Sequence, residues 1–174
     1  MRMTRPIKID GDVAFVTLTK GYTATIDAVD VPLVDGCNWQ ALVDKRADGT
    51  IRTVYAYRSD CSGPKQRTVY LHRVLMENPD ALQVDHRDGD GLNCRRNNLR
   101  LATNSQNACN GRTPATNTSG YKGVTWNKNK RKWTACIKLD GKARNLGLFH
   151  DPADAASAYA EASAQLHGDF GRTA

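Results

Sequence analysis

Asp85 and His86 stand side by side at the end of the short run QVDH (83–86), and Asn107 follows in the stretch TNSQN. In an extended strand neighbouring side chains point to opposite faces, so this carboxylate and this imidazole can serve different partners. Asp and Asn both offer hard oxygen donors, which suit Mg²⁺ or another divalent ion held partly by water and phosphate. A neutral imidazole beside such an ion suits a general base for water attacking phosphorus, because its pKa lies near working pH. The ion would stabilise a pentavalent phosphate and the leaving 3′ oxygen. The plainer alternative is a polar hairpin tip held by Asx-turns. Calcium binding through DGDG (88–91) fails on spacing: a register using Asp88 and Asp90 puts His86 at the first ligand position and Asn97 where a bidentate Glu is needed.

The elements around these residues have readable boundaries. QVDH and LRLA (99–102) are strand-like, and the residues between them are Asp, Gly, Asn and Arg turn chemistry. Thr103 and Gln106 form a T-x-x-Q capping box, and Gly111 sits where a helix should end. The unit therefore reads β-loop-β-α, with Asn107 in the second helical turn. A helix packed across the hairpin would bring Asn107 towards Asp85. Upstream, residues 7 to about 68 read as β, with AFVTLT, TATID, WQALV, TVYAYR and RTVYLH separated by Gly- and Pro-containing turns. VDVPLVDGC (29–37) fits a short helix or a turn. LHRVLMEN (71–78) has helical spacing of its apolar residues and ends before Pro79.

The run LHRVLM…QVDHRDGDGLNCRRNNLRLATNSQN resembles the core of the HNH endonucleases of phage and intron homing enzymes, here as an H-N-N variant. The resemblance implies Asp85 and Asn107 as metal ligands, His86 as general base and Asn98 as the residue that props the loop. It implies a ββα-metal core over 69–111, preceded by a β-rich region (1–68). His72 is expected to be structural. Arg73 could contact phosphate or support the site, and Arg95, Arg96 and Arg100 flank the loop. Their plain reading is solvated charge, and beside a phosphodiester site backbone contact is expected for at least one of them.

RTPATNTS (112–119) reads as a linker, spanning about 15–25 Å by flexible-chain scaling. After it, three strand-like runs precede a helix from Pro152 to about His167. Asp151 is placed to cap that helix, and Gly168 to end it. Ala155, Tyr159, Ala162 and Leu166 share one helical face. Alternation puts Trp133, Ala135, Ile137 and Leu139 against that helix and leaves Thr134, Cys136, Lys138 and Asp140 on an open side. Residues 119–170 resemble the AP2 DNA-binding domain through YKGV (121–124), the Trp133 strand, LGLF (146–149) and the Ala-rich helix. That resemblance implies DNA-facing positions at Lys122, Thr125, Asn127, Lys138 and Asn145. Several of these are Arg or Trp in the plant proteins of that family, so base preference is left open. Lys128, Lys130, Arg131 and Lys132 form a tip expected to reach phosphates.

Charge supports this division. The chain has 174 residues and a net charge of +7, and the excess is concentrated in 120–146, where eight basic side chains face only Asp140. Such a block suits a polyanion, most often nucleic acid. Five cysteines without C-x-x-C spacing argue against a structural zinc and for reduced thiols in a cytoplasm. No run of signal-peptide type opens the chain, and none approaches the ~20 apolar residues of a membrane span.

The expected architecture is α+β: a β-rich start, the ββα-metal core, and a separate three-stranded sheet with one helix (120–174). The expected activity is divalent-metal-dependent cleavage of double-stranded DNA, with Mg²⁺ ahead of Mn²⁺, nicking by default, by a monomer or weak dimer. A DNA-binding regulator with an inactive core is the first rival. A nuclease for RNA or branched DNA is the second.

Overall fold

The computed structural model describes residues 4–111, 113, 116–139 and 141–173. Residues 112, 114 and 115 of the expected linker, and Asp140 of the expected open face, lie outside them. The chain divides into two compact units, Met1–Leu101 and Ala102–Ala174. It is a mixed helix-and-sheet protein, and among the described residues no helix is long and apolar enough to cross a membrane.

The first unit begins with an antiparallel meander of β1 (Ile7–Asp10), β2 (Val13–Thr17) and β3 (Thr23–Asp27). Ala14, Val16, Ala24 and Ile26 alternate inward, as a half-buried sheet requires. The undecided segment forms a 3₁₀ turn (Ala28–Asp30) running into the one-turn helix α1 (Val31–Val34), with Pro32 in its first turn. A second meander follows, of β4 (Gln40–Lys45), β5 (Ile51–Asp60) and β6 (Arg67–Tyr70).

The strand expected to continue through His72 stops at Tyr70, and helix α2 spans Leu71–Leu75. Leu71 and Leu75 are both fully buried. The i, i+4 spacing of a helix puts this pair on one face. The helix stops three residues short of the expected Asn78, because Glu77 and Asn78 take left-handed backbone (φ 58° and 50°) to turn the chain before Pro79.

The hairpin of β7 (Gln83–His86) and β8 (Leu99–Ala102) completes the unit. Val84, Cys94 and Leu99 belong to the same buried cluster as Ala14, Ile26, Trp39, Ala56 and Leu71. The β-rich region and the hairpin therefore share one core.

The second unit holds helix α3 (Asn104–Asn110) and the antiparallel strands β9 (Val124–Asn127), β10 (Lys132–Leu139) and β11 (Lys142–Phe149), in the order β11-β10-β9. Helix α4 (Pro152–His167) packs on the sheet, its N-terminus capped by Asp151, whose Oδ1 accepts the Ala153 N–H at 2.7 Å. Val124, Ala135 and Ile137 are buried on the helix side. On α4 the fully covered positions are Ala155, Tyr159 and Ser163. The stripe thus steps by four, leaving Ala162 and Leu166 half-buried at its border. Gly123 cannot be replaced here: its φ is +73°, and a Cβ would meet the Tyr159 ring at 2.2 Å and Cys136 O at 2.8 Å.

Candidate functional site

The loop between β7 and β8 is held by its own polar residues. Asp88 Oδ1 accepts the N–H of Asp90 at 2.8 Å, and Asp90 Oδ1 accepts the N–H of Leu92 at 3.0 Å, two successive Asx-turns. Asn98 ties the two ends together. Its Nδ2 donates to Asp88 Oδ1 at 2.9 Å and to Asn93 O at 2.7 Å, and its Oδ1 accepts the N–H of Asp88 at 3.1 Å. DGDG is therefore a turn whose carboxylates are engaged with loop amides.

The first meander supplies a socket for this loop. Thr25 on β3 donates its N–H to Leu92 O at 2.9 Å and accepts from Cys94 N at 2.8 Å. Arg95 bridges Asp27 at 2.8 Å and Asp12 at 2.6 Å. Arg96 places Nε and Nη2 on the carboxylate of the buried Asp30 at 2.7–3.0 Å, and its backbone N–H donates to Asp27 Oδ2 at 2.8 Å. Both arginines are thus engaged with acidic partners in the 3₁₀ turn and the first sheet. Arg73 donates to Leu82 O at 3.4 Å and to Pro79 O, closing the turn that enters β7.

With the loop fixed, β7 ends on Asp85 and His86, both 5% exposed. Arg100 on β8, 7% exposed, places Nε and Nη2 on Asp85 Oδ2 at 2.8 and 2.7 Å. His86 sits in an aromatic wall. Its ring centroid is 5.0 Å from His72, edge-on, and 5.9 Å from Tyr55, while Tyr70 stacks on His72 at 5.4 Å. Cys94 Sγ lies 3.8 Å from His86 Nε2. The imidazole expected on a substrate-facing side is thus nearly enclosed, because Tyr55 from β5 and His72 from α2 cover it. Gly91 allows this: a Cβ there would meet the Tyr55 ring at 2.6 Å and Val54 O at 2.5 Å.

Burial sets the electrostatics. It holds His86 below the ordinary imidazole pKa, against the pull of Asp88, Asp85 and Asp90. His72, with Nδ1 buried and unpartnered, is pushed down to about 3, mostly by burial and then by the neighbouring His86 and Arg73. Both rings are neutral at pH 7. Burial, then the carboxylates of Asp90 and Asp88, push the Cys94 thiol up to about 12, so it is not a nucleophile.

The sequence reading missed Tyr55 and Cys94 as neighbours of His86, and Tyr70 stacked behind His72. Nothing local signals them, since the tyrosines arrive from strands closed by long-range pairing.

Asn107 lies on α3 in the second unit. The capping box forms as expected, with Gln106 N donating to Thr103 Oγ1 at 3.2 Å and Thr103 N donating to Gln106 Oε1 at 2.8 Å. On the sheet, register puts Thr125 opposite Thr134, Asn127 opposite Lys132 and Asn145 opposite Cys136. Thr125, Asn127, Lys138 and Asn145 thus share the face turned away from α4. Asn127 Oδ1 also accepts from Lys130 N at 3.0 Å, and Asn145 Oδ1 from Gly147 N at 3.0 Å. Lys128, Lys130 and Arg131 are exposed in the β9–β10 turn. Lys122 is set apart from this face: it precedes β9, and its Nζ donates to Cys109 O and Gly111 O at the end of α3.

A divalent ion, where the site takes one, would find a carboxylate that already holds a cation, the Arg100 guanidinium. A carboxylate beside a neutral imidazole fits a hard ion that keeps several waters and takes phosphate oxygens.

The HNH endonuclease family matches residues 69–109, from the end of β6 into α3. This stretch of the chain is an HNH nuclease domain. The chain is also similar to Protein 3.8 of Escherichia phage T7, at 36% identity over 94 residues, which is 54% of this chain and 77% of that protein. It belongs to the family of that phage protein. No solved structure matches the chain.

Proposed function

We propose that the chain is a metal-dependent endonuclease that hydrolyses DNA phosphodiester bonds and nicks one strand per event. One observation carries this reading: the HNH match falls on a hairpin whose loop is pinned by Asn98, Thr25, Arg95 and Arg96 and whose first strand ends on Asp85 and His86. Asp85 and Asn107 are the residues proposed to hold the ion, with Mg²⁺ ahead of Mn²⁺. Bound there, the ion supplies charge stabilisation for the phosphate and the leaving oxygen.

His86 takes a proton from the attacking water. Its enclosure suits that task, because a general base for hydrolysis has to reach a single water and must be neutral to accept. Asn98 keeps β7 and the loop in register. Arg100 neutralises Asp85. Arg73, Arg95 and Arg96 act as braces of the fold, given their partners.

The C-terminal sheet is proposed as an AP2-like DNA-binding face. Thr125, Asn127, Lys138 and Asn145 lie towards the groove, and Lys128, Lys130 and Arg131 lie towards phosphates. A basic sheet on the same chain raises the concentration of the cleavage site on double-stranded DNA.

A second reading rests on the same geometry. With His86 5% exposed and Asp85 held by Arg100, the HNH domain could be catalytically silent and the chain a DNA-binding regulator. Supercoiled plasmid incubated with Mg²⁺ or Mn²⁺ separates the two. Relaxed, then linear, product from the parent and almost none from His86→Ala, with DNA binding retained, supports the nuclease. Intact plasmid with undiminished DNA binding by the parent establishes the regulator instead.

A further inference from the structure

We propose that Lys122 is a positioning residue: its ammonium holds the C-terminal end of α3, the helix that carries Asn107, and so fixes that amide for the divalent ion. The inference rests on the reading of Asn107 as a ligand.

Helix α3 has seven residues. A helix this short is marginal by itself, so its ends decide whether it persists. The N-terminal end is closed by the Thr103–Gln106 box. At the other end Gly111 N donates to Ala108 O at 3.2 Å, the backbone bond that closes the last turn. Lys122 Nζ donates to Cys109 O at 2.5 Å and to Gly111 O at 2.7 Å, placing a positive charge where the helix dipole is negative. His167 adds a side-chain contact, Nδ1 to Cys109 Sγ at 3.5 Å.

Lys122 is itself held in place. The next residue, Gly123, has no room for a Cβ against Tyr159 and Cys136 O, and Cys136 N donates to Gly123 O at 2.8 Å. The start of the sheet therefore carries the cap of α3. The C-terminal module, on this inference, completes the nuclease helix as well as tethering the domain to DNA. A DNA-contacting Lys122 and a helix-capping Lys122 predict different outcomes, because two of the three ammonium protons go to these carbonyls and hold the charge at the end of α3.

The test uses the full chain and three proteins: parent, Lys122→Met and Lys122→Arg. Thermal melts first establish that each folds. Amide hydrogen exchange without metal, at residues 107–111, is expected to quicken at least tenfold in Lys122→Met and to return towards parent in Lys122→Arg. The Mn²⁺ concentration giving half-maximal nicking is expected to rise several-fold in Lys122→Met, with metal-free DNA affinity and its salt dependence unchanged. Unchanged exchange in Lys122→Met overturns the proposal. So does a fall in DNA affinity with the log–log salt slope reduced by about one, the signature of a lost phosphate contact. A parent that never nicks removes the nuclease reading, while exchange and DNA affinity still decide what Lys122 does. If Lys122→Met does not fold, exchange in Lys122→Arg decides: parent-like protection supports the cap, and loss of protection in a folded Lys122→Arg overturns it.

Discussion

Arg100 and Asp85 form a buried ion pair across the β7–β8 hairpin, with Nε and Nη2 of the guanidinium 2.8 and 2.7 Å from one carboxylate oxygen. A carboxylate 5% exposed must keep a cation near it, and Arg100 is the cation this fold provides. Removing one partner of such a pair costs about 3–5 kcal/mol, chiefly by stranding the other charge. Arg100→Ala is therefore expected to lower the melting temperature sharply in EDTA. A divalent ion at Asp85 would then repair part of the loss, because a ligand of the native state stabilises in proportion to its occupancy. Saturating Mn²⁺ is expected to raise the melting temperature of Arg100→Ala by more than that of the parent. Equal shifts in calorimetry would remove Asp85 from the ion's ligands.

With His86 as the proposed base, the pH dependence of nicking is set by its ring. Burial lowers its pKa, so the ring stays neutral to a pH below the ordinary imidazole value of 6.5. A base is active while neutral, and the acid limb of the nicking rate should therefore fall below pH 6.5. A single-turnover profile measured with the ion saturating checks this. A limb centred at or above 6.5 would mean that an exposed group, not His86, takes the proton.

His72 makes a prediction about stability. Its pKa is pushed down to about 3 in the fold. Between about 3 and 6.5 the unfolded chain carries a proton here and the native ring does not, so unfolding takes up a proton and stability rises with pH. The contribution is complete above pH 6.5 and is lost at about 1.4 kcal/mol per pH unit as the medium is acidified towards 3. Urea melts at pH 7 and pH 5 should show a smaller difference for His72→Phe than for the parent. An unchanged difference would show that His72 does not titrate with unfolding.

The sequence made the local structure of this domain legible and left its walls hidden. The strand ending in Asp85-His86, the strand Leu99–Ala102, the capping box and the Asp151 cap are set by residues a few positions apart, and each is found as expected. The faces of β10 follow in the same way, since alternation with period two assigns them without tertiary information, and Ala135 and Ile137 are buried as expected. The partners of Arg95 and Arg96 lie 66 to 83 residues away, at Asp12, Asp27 and Asp30. Next to a phosphodiester chemistry such arginines read as DNA contacts. Only the docking of the first meander gives them their acidic partners. The burial of His86 was not legible, because Tyr55 and His72 cover it through contacts that no local pattern encodes.

Those long-range braces carry stability. Arg96→Ala leaves the carboxylate of Asp30, 2% exposed, without its guanidinium. Because Arg96 is itself half-exposed, water can replace part of the interaction, and a loss of about 1–3 kcal/mol is expected in urea unfolding. Metal-free DNA affinity and its salt slope should not change. A reduced slope with unchanged stability would place Arg96 on the DNA backbone after all.

The β9–β10 turn should behave in the opposite way. Lys128, Lys130 and Arg131 are exposed, and the strands beside them carry the face formed by Thr125, Asn127, Lys138 and Asn145. Exposed charges of this kind add little to folding, so the triple change, to Ala at Lys128 and Lys130, should leave the melting temperature within a few degrees of the parent. At position 131 the φ of 49° is better suited to Asn or Gly, so Arg131→Asn is the substitution used there. If these side chains meet phosphates, each contributes about 0.9 to the slope of log affinity against log salt. The triple variant should therefore lose up to about 2.7 of that slope and bind more weakly to every sequence alike. Filter binding or fluorescence anisotropy across a salt series, without divalent ion, measures it. Loss of preference for one site with the slope intact would instead put this turn at the base edges.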